Sequence, residues 1–264
     1  MVVFITGISS GFGLETAHLL SQKGHIVYGT VRRDVEPLSS VNYLKLDVRD
    51  KQAVSTAVQQ IIEKEGRIDV LVNNAGMGIG GPLEFATEEE IRLQMDTNFM
   101  GLVNCVDAVL PYMRKQAEGR IIALSSIGGL MGLPFQGFYS ASKFAIEGYC
   151  EALRLEVKAM GIKVVVLRPG DFSTGFTGSR QKVSNEAALQ AYPLYREAIN
   201  KVEHDETGGL KPKVLAQKIS EIICKKNPCD GYVVASLEQR LSVLLKKILP
   251  AKWFDRILGS YYKL

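Results

Sequence analysis

Tyr139 and Lys143 stand four residues apart at the start of a stretch with helical spacing, which places their side chains on one face. A phenol beside an ammonium is a pair able to exchange a proton with a bound oxygen. An unperturbed tyrosine near pKa 10 is a poor acid–base group at neutral pH, so a neighbouring cation is what would make it useful. The pair alone says little. With 10 Tyr in the chain, roughly 0.7 YxxxK matches are expected by chance, so the spacing needs a context. Two polar residues supply one. Ser126 closes the apolar run ending Leu124-Ser125-Ser126, thirteen residues before Tyr139, and Asn98 sits in Asp96-Thr97-Asn98 ahead of a helical run.

A second set of residues suits a phosphate-bearing ligand. The first apolar run enters Thr6-Gly7-Ile8-Ser9-Ser10-Gly11-Phe12-Gly13 and then an amphipathic segment. Gly7, Gly11 and Gly13 allow a tight turn. The backbone N–H groups around Ser9, Ser10 and Phe12 would then meet a pyrophosphate at the positive end of a helix. The second run ends Val31-Arg32-Arg33, where an acid would bind a ribose 2′-hydroxyl and an arginine fork a 2′-phosphate. Asp47-Val48 follows the third run, Asn73-Asn74-Ala75-Gly76 the fourth, and Pro169-Gly170-Asp171-Phe172-Ser173-Thr174 the sixth.

In order along residues 6–174, these motifs resemble the classical-type short-chain dehydrogenase/reductase family: TGxxxGxG, NNAG, Ser–Tyr–Lys and PGxxxT. The resemblance covers about two-thirds of the chain, and motifs occurring jointly weigh more than any one of them. It implies Tyr139 as general acid/base, its pKa lowered by Lys143 and by an oxidised nicotinamide. Ser126 would hydrogen-bond the substrate oxygen, and Lys143 would also hold the nicotinamide ribose. Asn98 would anchor a proton-relay water. Asp47 and Val48 would contact adenine, Asn74, Ala75 and Gly76 would line the cofactor cleft, and Pro169, Gly170, Phe172 and Thr174 would face the nicotinamide. Arg32 stands where relatives preferring NADP carry Arg, so the implied cofactor is NADP(H). Within the family the sequence looks most similar to the 17β-hydroxysteroid, retinol and 3-ketosphinganine group.

The elements needed to position these residues are legible as an alternation of short apolar runs and helical segments. Strands are expected at Val2–Thr6, Ile26–Val31, Tyr43–Leu46, Ile68–Val72, Arg120–Leu124, Lys163–Leu167 and Gly231–Ala235. Helices are expected at Leu14–Lys23, Lys51–Glu65, Glu88–Leu93, Gly101–Lys115, Ala141–Met160 and Val214–Lys226. This is the pattern of an α/β, Rossmann-type, doubly wound seven-stranded parallel sheet in three layers, a single domain over residues 1–264. Each motif falls at the carboxyl end of a strand, where such folds bind ligands. The stretch 171–211 is too long for a plain connection and is expected to be a lid.

Composition narrows the function classes. A net charge of +4 scattered among acids does not suggest nucleic acid. Cys105, Cys150, Cys224 and Cys229 show no metal-ligand spacing, so no metal and no disulfide framework is expected. The first apolar run is too short for a signal peptide, and nothing approaches a membrane span, so a cytoplasmic protein is expected. Met77, Met131, Phe135 and Phe176, with Ile79, Leu130 and Phe172, surround the expected nicotinamide position, which suits a bulky lipophilic carbonyl or alcohol. In the lid, Tyr192, Leu194 and Tyr195 add apolar surface. Residues 240–264 form a basic amphipathic stretch divided by Pro250, with six Lys or Arg against Asp255 alone, a net of 6 − 1 = +5. Such a tail would lie on a membrane surface, cover the cleft or pack on a partner subunit. By the resemblance, the long helices commonly pair between subunits in a homodimer or homotetramer. A binding protein that senses NADP(H) with little turnover is the alternative to an enzyme, and the intact Ser126, Tyr139, Lys143 and Asn98 argue against it.

Overall fold

In the computed structural model, residues 1–182 and 186–264 are described. Strand β1 (Val2–Ile5) leads to helix α1 (Gly11–Gln22), β2 (Ile26–Val31), β3 (Asn42–Lys45), α2 (Lys51–Glu65), β4 (Val70–Asn73) and the two-residue β5 (Ile79–Gly80). Then come α3 (Glu88–Met95), a π-helical turn at Asp96–Met100, α4 (Gly101–Gln116), β6 (Gly119–Leu124), α5 (Gly137–Val157) and β7 (Ile162–Pro169). The lid holds α6 (Phe176–Ser179), β8 (Gln181–Lys182), α7 (Glu186–Ala191) and α8 (Tyr195–Thr207). The chain continues with α9 (Pro212–Cys224), β9 (Gly231–Val234), α10 (Leu237–Ile248) and α11 (Ala251–Tyr262). Residues 183–185 of the lid lie outside the described residues.

Seven strands form one parallel sheet in the order β3-β2-β1-β4-β6-β7-β9. Strand order reverses between β1 and β4, so the crevice at their carboxyl ends is the switch point of a doubly wound fold. Alternate residues of each strand go to opposite layers. Val2 and Phe4 of β1 pack with α2, α4 and α5 through Val58, Val106 and Ile146, and Val3 and Ile5 pack with α1 and α9 through Leu20 and Ile219. Burial on both faces explains why the strands read as nearly unbroken apolar runs.

Local signals set the helix ends. Asp50 accepts the Ala53 N–H at 3.0 Å to start α2, and Gly66, with φ 74°, ends it in a left-handed turn. A reciprocal Thr87–Glu90 capping box opens α3. Caps of this kind contribute about 1 kcal/mol each.

Two helix starts differ from expectation by three or more residues. Helix α1 begins at Gly11, not Leu14, which puts Gly11 and Gly13 in its first turn. Helix α5 begins at Gly137, not Ala141, so Tyr139 and Lys143 both lie on it. In both, the first turn opens on a glycine and sets its single phenylalanine outside the apolar period that follows. The β5–β8 pairing, Ile79 opposite Gln181 and Gly80 opposite Lys182, also lacks a pattern at two residues per strand.

Candidate active site

The glycine turn is held from below by the fourth strand. Asn74 donates from Nδ2 to the carbonyls of Thr6 (2.9 Å) and Gly7 (2.8 Å), and Thr6 Oγ1 accepts the N–H groups of Asn74 (3.0 Å) and Ala75 (2.9 Å). Two adjacent asparagines leave an apolar strand here because one of them stitches the two turns together. Gly7 (φ 71°) and Gly11 (φ 57°) adopt backbone that side chains avoid. At Gly13 a Cβ would sit 2.2 Å from the Gly7 carbonyl oxygen. Ser10 gives α1 no side-chain cap and its first turn has no acid, which leaves the helix N-terminus free to receive an anion.

Arg32 and Arg33 are exposed at the end of β2 and make no ion pair among the described residues. Asp47 is different. Its carboxylate accepts Arg49 Nη2 at 2.7 Å and the Arg49 N–H at 3.0 Å, and these hold it below the usual carboxylate range. The Asp47 lone pairs expected to meet adenine are therefore shared with Arg49. Val48 is buried against Gly101, and its carbonyl accepts Asn104 Nδ2 at 3.0 Å.

The candidate catalytic residues come from three elements. Ser126 follows β6, Tyr139 and Lys143 lie one turn apart on α5, and Asn98 lies in the π-helical turn between α3 and α4. Such one-residue bulges are frequent at functional sites. The Asn98 side chain bonds through both polar atoms: Oδ1 accepts the Met77 N–H (2.8 Å), and Nδ2 donates to the Met77 carbonyl (3.0 Å) and to Ser142 Oγ (3.0 Å). Its carboxamide positions the strand end beside α5 and keeps one Oδ1 lone pair free of these bonds.

Ser126 Oγ accepts the Gly128 N–H at 3.0 Å, which leaves its own proton to give. Burial pushes the Tyr139 phenol up to about 12, with the hydrogen-bonding Ser126 hydroxyl pulling it down and Glu206 and Asp171 pushing it up. Lys143 is not among the causes of this shift. The Lys143 ammonium lies 5.7 Å from the Tyr139 ring centroid and donates to the Leu124 carbonyl at 2.8 Å, while burial depresses it to about 8 and Glu147 partly restores it. The protein alone thus holds Tyr139 as a loaded proton donor. Two of the three Lys143 N–H donors remain for ribose hydroxyls. Arg168 grips Glu147 with a fork at 2.9 and 2.7 Å, tying α5 to β7.

These groups face a cavity of about 350 Å3 whose walls include Phe12, Met131, Phe172, Thr174, Phe176 and Leu258. Asn74, Gly76, Ser126, Tyr139, Lys143, Pro169 and Gly170 line it as well. Two expected substrate residues do not. Met77 is turned by the Asn98 clamp and by Gln94, which donates to the Met77 carbonyl at 2.8 Å. Phe135, at φ 57°, packs its ring 5.2 Å from Tyr195 and 6.2 Å from Tyr192, under the lid. Tyr192 and Tyr195 are accordingly lid-packing residues.

Sequence reasoning missed one wall. Asp171, Asp205 and Glu206 line the cavity, with Gln239 of α10 and Tyr261 and Tyr262 of α11. Tyr261 donates to Asp205 (2.6 Å), which also pairs with Lys201 (3.0 Å), and Glu206 pairs with the buried Arg180. Among the described residues the Asp171 side chain bonds only to the uncharged Gln239, whose Nε2 donates at 2.6 Å while its Oε1 accepts the Asp171 N–H at 3.1 Å. Burial pushes the Asp171 carboxyl up to about 6, with Glu206 and Asp205 adding to the rise. Lid and tail meet here from distant parts of the chain, which no local period reveals.

A family model described as short chain dehydrogenase matches residues 1–185. The chain belongs to the short-chain dehydrogenase family. The 3-ketodihydrosphingosine reductase of Bacteroides thetaiotaomicron is 50% identical over 262 residues, covering 99% of this chain and 97% of that one. Human 17-beta-hydroxysteroid dehydrogenase type 1 is 38% identical over 212 residues, 72% of this chain and 64% of that enzyme. Among solved structures, a short-chain dehydrogenase from Streptomyces avermitilis overlays with a TM-score of 0.81 at 27% identity, covering 99% of this chain and 96% of that one. The closed form of a serine dehydrogenase complexed with NADP+ overlays at 0.77 with 26% identity, covering 90% and 96%. This short-chain dehydrogenase is an oxidoreductase whose glycine turn, open α1 terminus and partly unspent Lys143 fit a nicotinamide dinucleotide.

Proposed function

We propose that this enzyme uses NADPH to reduce the ketone of a long-chain amino ketone, the 3-keto form of a sphingoid base. The observation that carries the reading is the composition of the cavity. Its walls are mostly apolar, its proton-transfer groups are Ser126, Tyr139 and Lys143, and Asp171 adds a carboxylate with no cationic partner among the described residues. A neutral steroid would leave that carboxylate buried without a counter-charge, which is costly. An ammonium beside the ketone would supply one, and an alkyl chain would take the apolar wall. The name of the Bacteroides relative agrees with this reading.

The residues divide the work as follows. Ser126 donates a hydrogen bond to the carbonyl oxygen and stabilises the charge that develops there. Tyr139 transfers its phenolic proton to that oxygen, and Lys143 stabilises the phenolate left behind. The reduced nicotinamide supplies the hydride. Arg32 and Arg33 offer paired guanidinium forks to a 2′-phosphate, which favours NADPH over NADH.

The test is NADPH oxidation with 3-ketodihydrosphingosine and with a ketone of equal length lacking the amine. The wild type should prefer the amino ketone by about tenfold or more in kcat/KM, and Asp171→Asn should erase most of the preference, as expected for a charge-assisted contact of about 1.5–3 kcal/mol. Equal rates on both ketones would remove the amine from the proposal, and no turnover of either would remove the reaction.

A further inference from the structure

The two C-terminal helices have an inner and an outer face. Inside, Val243 of α10 and Phe254 of α11 pack on the same cluster as Ile127 and Met131, so both helices roof the catalytic cavity. Outside, α10 presents Leu237, Leu241, Leu244 and Ile248, spaced four, three and four residues apart, with 82, 54, 52 and 64% of their surface exposed. Helix α11 continues with Trp253, Ile257 and Tyr261, and Leu264 follows it. Each set is one helical stripe. The α10 stripe and Trp253 lie outside the cavity, while Ile257 and Tyr261 stand at its rim. Apolar stripes of this length on a soluble surface mark an interaction site.

Cations surround the stripes. Arg240, Lys247, Lys252 and Arg256 are exposed, and with Lys246 they make no ion pair among the described residues. Lys246 lies over the Phe254 ring at 4.8 Å and Arg256 over Trp253 at 6.0 Å. Only Glu238 and Asp255 are acidic in the two helices. A second copy laid on this surface about a twofold axis would set these cations against their own like. Among the described residues no helix is long and apolar enough to cross a membrane, so a bilayer would be met lying flat.

We propose that α10 and α11 dock the enzyme on an anionic bilayer surface, with the apolar stripes in the acyl boundary and the cations on the headgroups. Ile257 and Tyr261 are both exposed and part of the cavity wall. The docked stripe therefore runs to the rim of the catalytic cavity, and a ligand with a long alkyl chain would enter from the bilayer without crossing water. The surface is argued from exposure and charge, so it stands or falls apart from the substrate assignment.

Vesicle flotation of the full chain tests it, with phosphatidylcholine alone and with phosphatidylglycerol added. The wild type should float with the anionic vesicles, at least tenfold less with phosphatidylcholine alone, and less at high salt. Leu241→Glu with Leu244→Glu lies outside the cavity and should abolish flotation while leaving turnover of a short water-soluble ketone unchanged. Failure of the wild type to float, or flotation of the double variant at the wild-type level, overturns the proposal. So does a wild-type dimer that the double variant splits while neither binds vesicles, which would assign the stripes to a second copy.

Discussion

Asn98 holds both backbone polar groups of one residue: its carboxamide accepts the Met77 N–H and donates to the Met77 carbonyl, at 2.8 and 3.0 Å. A third bond, to Ser142 at 3.0 Å, reaches the helix that carries Tyr139, and the Ser142 hydroxyl in turn donates to the Tyr139 carbonyl at 2.7 Å. One buried side chain thus fixes the end of the fourth strand relative to the proton donor.

Replacing Asn98 by Asp keeps the shape and removes two donors, facing a carboxylate with a carbonyl oxygen and a hydroxyl whose own proton is already spent. Leaving buried groups unsatisfied costs about 1–3 kcal/mol each. The variant should melt lower, by roughly 2–4 °C for each kcal/mol lost. A calorimetric scan checks the stability, and kcat should fall with it because Tyr139 is displaced.

The pH profile of reduction should have its alkaline limb set by Lys143. Burial has lowered this ammonium to about 8, so it is charged below that pH and neutral above it. Reduction needs the cation beside the forming phenolate. The logarithm of kcat/KM should therefore be flat between about pH 6, where Asp171 ionises, and pH 8, and decline above it. Glu147→Gln removes the charge that raises Lys143 and should move the limb to lower pH, read from rate profiles between pH 6 and 10.

Arg32→Ala with Arg33→Ala should raise the KM for NADPH roughly 10–100-fold and leave that for NADH nearly unchanged, since only the former carries the 2′-phosphate. Initial rates with both cofactors check it. A parallel rise in both constants would place the arginines elsewhere in the site.

Asp171 carries a stability signature separate from catalysis. Its folded pKa, about 6, lies above the ordinary 3.8, so the folded state binds this proton more tightly than the unfolded one. Stability is then lost as pH rises through the window between those values, and the full penalty is present above it. Asp171→Asn removes the penalty. The variant should be more stable than the wild type above pH 6, and the two melting curves should converge near pH 4.

The sheet was legible because its central strands are buried on both faces and read as short apolar runs such as Val70–Asn73 or Gly119–Leu124. The dinucleotide turn and the Ser126, Tyr139, Lys143 and Asn98 set were legible because their chemistry dictates residue type at fixed spacing. The acidic wall was not. Asp171, Asp205 and Gln239 meet only through the packing of a lid on a tail, and each reads alone as a surface polar residue. Met77 and Phe135 do not line the cavity, since sequence distance from the motifs gives proximity without direction. The Asn98 clamp and a positive φ at Phe135 set the direction. The pKa order of Tyr139 and Lys143 was also hidden, since it depends on burial and on where the ammonium points.

The central claim is that Tyr139 delivers the proton in an NADPH-dependent ketone reduction. Single-turnover NADPH oxidation with 3-ketodihydrosphingosine, comparing wild type with Tyr139→Phe at equal cofactor occupancy, tests it most directly. The account predicts a loss of about 100–10,000-fold in the chemical step, in the range of general acid catalysis, with NADPH binding unchanged. A variant within tenfold of the wild type would contradict it.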